Sequence, residues 1–142
     1  GTFSTNLVAS GNAVITESNI VNFKDDNCGP PSISFTSAFT CANIGVNPVT
    51  VTANDGHGNT ASCPISVSII DNIPPTVTCN GPLTVNLNGA GTVSITESNV
   101  VFFKDDNCGP PTITHQTTFT CANIGTNSIT VTADDGHGNT AS

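Results

Sequence analysis

The sequence contains no methionine, tryptophan or tyrosine, and its only basic side chains are Lys24 and Lys104. Nucleic-acid backbones are bound through clusters of lysine and arginine, so this shortage of cations argues against a nucleic-acid-binding role. No apolar run approaches the ~20 residues that a membrane helix needs, so no membrane span is predicted. The lack of tryptophan and tyrosine also leaves few aromatic platforms on which sugar rings could stack.

The composition that remains favours β-structure. Charged residues make up 8% of the 142 residues, against roughly a quarter in an average soluble domain. Threonine, valine and isoleucine suit strands, whereas the abundant glycine, proline and asparagine suit turns. The formal net charge of −8 is consistent with solubility, or with acids that hold a hard cation such as Ca²⁺. We therefore predict an all-β protein.

The chain is an internal repeat. Residues 1–62 align with residues 81–142 without a gap, and 40 of the 62 aligned pairs are identical by direct comparison. The longest shared segments, each displaced by 80 positions, are ITESN, FKDDNCGPP, FTCANIG and DGHGNTAS. A period near 80 is too long for a solenoid unit and fits a small β-sandwich domain.

The repeat defines two domains. We predict a first sandwich over residues 1–71 and a second over residues 72–142 that lacks its last strand. The segment CPISVSIID completes the first copy and has no counterpart in the second. Two interpretations stay open: a piece cut from a longer secreted tandem array, which we favour, or a last strand donated by a neighbouring chain.

Short alternating runs bounded by turn residues predict tandem immunoglobulin-like (fibronectin-like) antiparallel sandwiches, with about six or seven strands per copy. In the second copy these strands are TVTC with LTVNL, TVSITES, PTITHQTT, FTC and NSITVTADD, and no segment has a helical period. Following the strand directions, the ESNVVFFKDDNCGPP and DGHGN loops should lie at one end of a copy, where the linker from the preceding copy arrives.

Acidic and amide side chains gather in these loops and in the linker. Carboxylates that lie close together repel unless a cation sits among them, and Ca²⁺ accepts six to eight oxygen ligands in irregular loops. The alternative is that aspartate, asparagine and glycine serve here only as turn formers. The predicted Ca²⁺ ligands are Asp71, Asn72, Glu97, Asp105, Asp106, Asp134, Asp135 and Asn139, with first-copy equivalents Glu17, Asp25, Asp26, Asp55 and Asn59.

The six cysteines indicate an oxidising compartment. From the repeat we predict the disulfides Cys28–Cys41 and Cys108–Cys121, each of which closes a short loop. Cys63 and Cys79 are expected to pair outside the chain, although a Cys63–Cys79 bond is the rival interpretation. Zinc fits less well because no CxxC pair is present.

Histidine and lysine are the two remaining side-chain types that could carry chemistry. His57 and His137 lie in the DGHGN loops without a serine elbow, CxxC or HExxH motif, so we interpret them as surface residues and predict no enzymatic activity. Lys24 and Lys104 each precede two aspartates, and an isopeptide bond catalysed by Glu17 or Glu97 is a minor alternative. The phenylalanines at 23, 39, 103 and 119 are predicted to be core residues.

The order of motifs TVTC, DNCGPP, a glycine before TVTA, DGHGNTAxC and a DxxPP linker resembles the hyalin-repeat domain. The resemblance covers both copies almost completely. It implies an immunoglobulin-like or fibronectin-like sandwich, an extracellular or cell-surface location and an adhesive or structural role. It also implies that Cys79 is a framework cysteine whose partner would follow Ser142. The absent final strand departs from the pattern.

These observations predict a structural, adhesive extracellular protein. Disulfides and Ca²⁺ at the junctions between repeats would rigidify a stalk or filament, and Pro74 and Pro75 would stiffen the linker. Its partners would be further repeats or neighbouring copies of the same protein. The alternative is a glycan- or protein-binding module of a surface adhesin, in which the variable residues 32–38 and 112–118 contact the target.

Overall fold

The structure is a computed structural model that describes all 142 residues. Most of the regular secondary structure of the protein is β-strand, as predicted, and the few helices are single turns. It divides into two compact units, Gly1–Asn72 and Ile73–Ser142, which lie within one residue of the predicted domain boundary. The units are called unit 1 and unit 2 below, and each is described by itself.

Unit 1 contains two sheets. The larger has the strand order β1-β6-β5-β3, and β2 pairs with β4 in the smaller. The alternation of β-branched and polar residues suits a sheet with one buried face. The elements are β1 (Thr2–Asn6), β2 (Asn12–Val14), α1 (Glu17–Ile20), β3 (Ser32–Ser34), β4 (Ala38–Thr40), a 3₁₀ turn (Cys41–Asn43), β5 (Gly45–Asn54) and β6 (Thr60–Ile70).

Strand register defines the two ends of unit 1. Ser32 of β3 and Thr60 of β6 both lie opposite Asn54, the last residue of β5. This end carries loops 25–31 and 55–59 and is called the loop end. Strand β6 runs away from it, parallel to β1 and antiparallel to β5. The opposite end, which carries the turn 8–11 and the 3₁₀ turn, is called the turn end.

The core of unit 1 receives side chains from both sheets. Ala13 and Phe39 are buried from the smaller sheet, and Val51, Val67 and Ile69 from the larger. Each occupies an inward position of its strand, because successive side chains of a strand point to opposite faces. Burial of these apolar groups is the main favourable contribution to folding.

Unit 2 repeats this plan with fewer paired residues. Its sheets pair β7 with β9, β8 with β11, and the central strand β12 with both β10 and β13. The buried residues Ile95, Val100 and Val131 form the centre of its core. The elements are β7 (Thr76–Cys79), β8 (Thr92–Ser94), α2 (Glu97–Val100), β9 (Val101–Asp105), β10 (Thr112–Thr114), β11 (Thr118–Thr120), a second 3₁₀ turn (Cys121–Asn123), β12 (Thr132–Asp134) and β13 (Thr140–Ala141).

Several sequence predictions need correction here. The predicted strand LTVNL has no partner, and NSITVTADD is a strand only at Thr132–Asp134. Two single-turn helices, α1 and α2, stand where no helix was predicted. Each is preceded by an N-cap threonine whose backbone N–H donates to the side-chain oxygen of an asparagine three residues on, over 2.8 Å in both copies, and this cap overrides the strand pattern. No helix of either unit has the length and apolarity required to cross a membrane.

The predicted phenylalanine core is half right. Phe39 is buried, and Phe119 packs against the core of unit 2. Phe23 and Phe103 are instead exposed, Phe23 over 81% of its surface. The error arises because these two residues lie on the segment just before the DDNCGPP loop, whose outward positions the sequence pattern did not distinguish from the inward ones.

Candidate cation site at the loop end

Strand pairing brings two loops, each present in both copies of the repeat, together at the loop end of each unit. In unit 2, Asp134 lies opposite both Thr112, which follows loop 105–111, and Thr140, which follows loop 135–139. Unit 1 has the same register, and the Ser32 hydroxyl donates to the Asn54 carbonyl over 3.1 Å. This placement agrees with the strand directions predicted from the sequence.

The DGHGN loop is closed by its own hydrogen bonds. In unit 2 the Asp135 Oδ1 atom accepts from the backbone N–H groups of His137 (2.7 Å) and Asn139 (3.0 Å). The Asn139 side-chain amide donates to Asp135 Oδ2 over 2.6 Å. Gly136 and Gly138 have φ values of +78° and +102°, which favour glycine because other residues are strained there. Both carboxylate oxygens of Asp135 therefore already accept hydrogen bonds within the loop.

Unit 1 repeats this loop closely. Asp55 Oδ1 accepts from His57 N (2.8 Å) and Asn59 N (3.0 Å), and Asp55 Oδ2 accepts from Asn59 Nδ2 (2.6 Å). The partners lie within four residues of each other in the chain. Because the same eight letters form the same bonds in both units, the local sequence determines the shape of this loop.

These hydrogen bonds favour the ionised carboxylates. The side-chain hydrogen bond from Asn59 is the largest cause that lowers the pKa of Asp55 below its ordinary value. At Asp135, burial by itself would raise the pKa, but hydrogen bonds from Asn139 and from the His137 backbone outweigh it and the pKa is again lowered. Both loops are therefore negatively charged at neutral pH.

The second loop supplies a carboxylate with an unused oxygen. Asp106 Oδ2 accepts from the Cys108 N–H over 3.0 Å, whereas its Oδ1 atom is buried without a hydrogen-bond partner. In unit 1 the equivalent Asp26 Oδ2 accepts from Cys28 N over 3.1 Å. A buried carboxylate oxygen without a donor is costly, so the site fits an additional positive group.

The chain enters unit 2 beside this loop. Thr76, the first residue of β7, lies opposite Asp105, the last residue of β9. Asp105 is exposed. The loop end of unit 2 is therefore also the end at which the polypeptide arrives, as the strand directions predicted.

The two glutamates in the predicted ligand set are engaged elsewhere. Glu97 begins α2 and forms an ion pair with Lys104, whose Nζ lies 2.9 Å from Glu97 Oε1 and donates to the Pro111 carbonyl over 3.0 Å. Glu17 and Lys24 form the same pair over 2.7 Å in unit 1. The loop that was predicted to carry Glu97 is a helix followed by a strand. We accordingly leave both glutamates out of the candidate cation site.

Asp71 and Asn72 belong to unit 1 and follow β6 at its turn end. Asp71 is buried. They do not lie with Asp55 and Asn59, which are at the loop end of the same unit. Their participation in a Ca²⁺ site stays a prediction.

One further ligand type was not included in the sequence prediction. A ring nitrogen of His137 and a carboxylate oxygen of Asp135 lie within 4.8 Å of each other. The spacing D-x-H was visible in the sequence, but we interpreted the histidine as a surface residue. In unit 1 the Nδ1 atom of the equivalent His57 lies 3.1 Å from the Asp55 carbonyl of the same loop.

The structure does not form the predicted cysteine pairs. Cys41 and Cys108 are the cysteines in disulfide linkage, whereas Cys28, Cys63, Cys79 and Cys121 have free thiols. Cys28 and Cys108 lie in loops at the loop end. Cys41 and Cys121 lie at the turn end, with their Sγ atoms 3.6 and 3.7 Å from the carbonyls of Gly11 and Gly91.

The predicted pairs do not form because the length of the strands separates the two cysteines of each copy. Three residues lie between Cys28 and β3, which begins at the loop end, and three lie between Cys41 and β5, which begins at the turn end. The two cysteines of one copy are close in sequence but sit at opposite ends of the same strands. A disulfide requires Cα atoms within about 7 Å, so the short sequence spacing was misleading.

Comparison with known proteins adds no assignment: no protein-family model matches the chain, and no curated protein sequence matches it.

Proposed function

We propose that this chain is a structural, adhesive part of an extracellular tandem-repeat protein, in which immunoglobulin-like sandwiches of the hyalin-repeat type build a rigid stalk or filament. The observation that carries the proposal is that unit 2 reproduces the strand registers and loop hydrogen bonds of unit 1 at a displacement of 80 residues. Repetition of a whole folded unit adds length to a molecule, whereas a single site would need one copy.

The loops support a mechanical role for the loop end. Their hydrogen bonds are internal, so each loop is held in one shape without help from a ligand. The polypeptide arrives at this same end of unit 2, where Thr76 pairs with Asp105. Rigid loops at the point where the chain enters a repeat would limit bending there, and the prolines at 74 and 75 restrict the preceding backbone.

We further propose that the loop end of unit 2 binds Ca²⁺. The buried Asp106 Oδ1 atom without a donor is the observation that supports a cation. Asp105 is exposed beside it, and Asp134 uses Oδ1 to accept from Gly136 N over 2.7 Å. Asp135 would contribute charge more than new ligand atoms, since both its oxygens already accept hydrogen bonds. Ca²⁺ suits such a set because it takes carboxylate, carbonyl and water oxygens in irregular geometry.

Calorimetry of the full chain in EDTA, in Ca²⁺ and in Mg²⁺ tests this proposal. A ligand of the folded state stabilises it by about 2.7 kcal/mol at a concentration one hundred times its dissociation constant. We expect Ca²⁺, and not Mg²⁺, to raise the melting temperature of one of the two unfolding transitions.

Two matched variants make the test specific. Asp106→Asn keeps the shape of the side chain and removes its charge, so it should abolish the Ca²⁺ response. Asp26→Asn makes the same change at the equivalent position of unit 1, where neither oxygen of Asp26 is buried without a donor, and should leave the response intact. An unchanged melting temperature in Ca²⁺, or equal loss in both variants, would contradict the Ca²⁺ site and leave a disulfide-supported stalk without a cation.

A second candidate function, a glycan- or protein-binding module, is favoured by exposed aromatic side chains. Phe23 and Phe102 are exposed over 81% and 78% of their surfaces. Large exposed apolar side chains mark interaction sites when they form a patch. A glycan array probed with the wild-type chain and with Phe102→Ser would separate the two functions, because saccharide binding that depends on Phe102 is expected only of the binding module.

A further inference from the structure

Loop 105–111 of unit 2 carries both the candidate Ca²⁺ ligand Asp106 and an oxidised cysteine. Asp106 Oδ2 accepts from the backbone N–H of Cys108 over 3.0 Å, and Cys108 is in disulfide linkage. A carboxylate oxygen of Asp106 and the Cys108 Sγ atom lie within 4.8 Å of each other. The carboxylate that would bind the cation is therefore hydrogen-bonded to the residue that forms the disulfide.

The residue between these two also contacts the disulfide sulfur. The side-chain amide of Asn107 donates to Cys108 Sγ over 3.3 Å. Asp106, Asn107 and Cys108 are each half-buried, so none of the three can move freely while the loop keeps this shape. A change in the position of Cys108 Sγ would therefore be transmitted to both residues that precede it.

Unit 1 contains the same loop with a cysteine thiol in place of a disulfide. Asp26 Oδ2 accepts from Cys28 N over 3.1 Å, and Cys28 is exposed with a free thiol. Neither oxygen of Asp26 is buried without a donor, whereas Asp106 Oδ1 is. The oxygen that favours a cation thus belongs to the loop whose cysteine is oxidised.

A disulfide can strengthen cation binding by holding the loop in its binding conformation. A cation requires several oxygens to be in place at once, and each side chain that becomes ordered on binding costs free energy. A loop fixed through the Cys108 disulfide is already ordered before the cation arrives. The same loop with a Cys108 thiol would have to become ordered during binding, so its affinity for the cation should be lower.

We propose that the Cys108 disulfide controls the affinity of the loop end of unit 2 for Ca²⁺, which rests on the Ca²⁺ site proposed above. The oxidised form holds Asp106 in position for the cation, and reduction by a dithiol releases it. In that step the dithiol supplies two electrons and two protons, the Sγ–Sγ bond breaks to give two thiols, and the dithiol becomes a cyclic disulfide. We expect reduction to raise the dissociation constant for Ca²⁺ about tenfold, the cost of ordering one or two side chains on binding.

Binding and reduction must affect each other equally. If the oxidised protein binds Ca²⁺ about tenfold more tightly than the reduced protein, saturating Ca²⁺ must oppose reduction of the disulfide by the same factor. The ratio of oxidised to reduced Cys108 is therefore a second readout of the same coupling, and it does not require a variant.

The first experiment is a calorimetric titration of the full chain with Ca²⁺, in its oxidised form and in dithiothreitol. Alkylation of thiols followed by mass spectrometry establishes the oxidation state of Cys108 in each sample. We expect Ca²⁺ to bind the reduced protein about tenfold more weakly. Equal affinities in the two samples would overturn the redox control and leave the Ca²⁺ site standing, whereas no binding by the oxidised protein would remove both.

Two matched variants assign the effect to one cysteine. Cys108→Ser should bind Ca²⁺ as weakly as the reduced protein, and dithiothreitol should change its affinity no further. Cys28→Ser makes the same substitution at the equivalent position of unit 1 and should keep both the tight binding and the sensitivity to dithiothreitol. A response to dithiothreitol that persists in Cys108→Ser would overturn the proposal, because another group would then carry it.

The second experiment measures the reciprocal effect in the wild-type chain. The protein is equilibrated with a fixed ratio of reduced to oxidised dithiothreitol in Ca²⁺, in Mg²⁺ and in EDTA, and the alkylated fraction of Cys108 is then determined. Ca²⁺ should raise the ratio of oxidised to reduced Cys108 about tenfold over EDTA, and Mg²⁺ should not. A ratio that Ca²⁺ leaves unchanged or lowers would overturn the proposal.

Discussion

The stability of unit 1 should depend on a single side chain of β6. Ile69 is exposed over 1% of its surface and lies between Thr5 of β1 and Gly45 of β5. Its neighbour Ile70 is exposed over 41%. The two isoleucines are adjacent in sequence and belong to the same strand, so substitution of each by alanine compares burial while residue type and strand are held constant.

The expected magnitude follows from the atoms removed. Ile69→Ala deletes three buried carbon groups, each worth about 0.8 kcal/mol of transfer free energy. A residual cavity adds to this loss, and buried isoleucine-to-alanine changes typically cost about 2–5 kcal/mol. We therefore expect Ile69→Ala to lower the free energy of unfolding of unit 1 by about 3 kcal/mol. In a domain of this size that corresponds to a decrease in melting temperature of roughly 12–24 °C.

Calorimetry is the appropriate assay because the chain has no tryptophan or tyrosine for fluorescence. Ile70→Ala should cost less than about 1 kcal/mol, since much of its side chain stays in water in the folded state. Hydrogen exchange would assign the affected transition to unit 1. If the two variants had the same melting temperature, the deduction that β6 closes the core of unit 1 through its inward face would be wrong.

Two further outcomes are expected. Gly91→Ala should destabilise unit 2 by about 1–3 kcal/mol in urea unfolding, because φ is +72° and a Cβ atom would lie 2.8 Å from Cys121 Sγ. The control Gly89→Ala should cost less, because its Cβ atom would meet no atom within 4 Å. Equal costs of the two variants would contradict the steric argument. The pKa of Asp55 is lowered in the folded state, so its contribution to stability is present above the ordinary carboxyl pKa and is lost as the pH falls through the folded pKa. In an NMR titration of the carboxyl group, Asn59→Ala should raise the pKa of Asp55. An unchanged pKa would show that the Asn59 hydrogen bond does not stabilise the carboxylate.

The repeated loops show how far local sequence can be trusted here. The DGHGN loop forms the same three carboxylate hydrogen bonds in both units. Every donor lies within four residues of its acceptor, so no distant contact is needed to select the conformation. The single-turn helices also depend on contacts between near neighbours in the sequence. The T-x-x-N spacing at residues 16–19 and 96–99 is a sequence signal for their caps.

The cysteines and phenylalanines show which features the local sequence does not predict. Cys28 and Cys41 are close in sequence, yet the strands between them carry them to opposite ends of unit 1. Phe23 and Phe39 have the same side chain, but only Phe39 faces the core. Both outcomes depend on the register of strands that pair over long sequence separations, and the pattern of one segment contains no information about its partner.

By itself, the sequence determined the strand-rich composition, the repeat of 80 residues and the internally bonded acidic loops, because each depends on residue type or on contacts between near neighbours. Only the tertiary structure decided which carboxylate oxygen is buried without a donor, which cysteines are oxidised and which apolar side chains remain uncovered. The segments at residues 3–7 and 83–87 occupy equivalent positions, yet one is mostly strand and the other is unpaired. A strand edge becomes a ladder only when a neighbouring strand supplies its hydrogen bonds, as β6 does for β1 in unit 1.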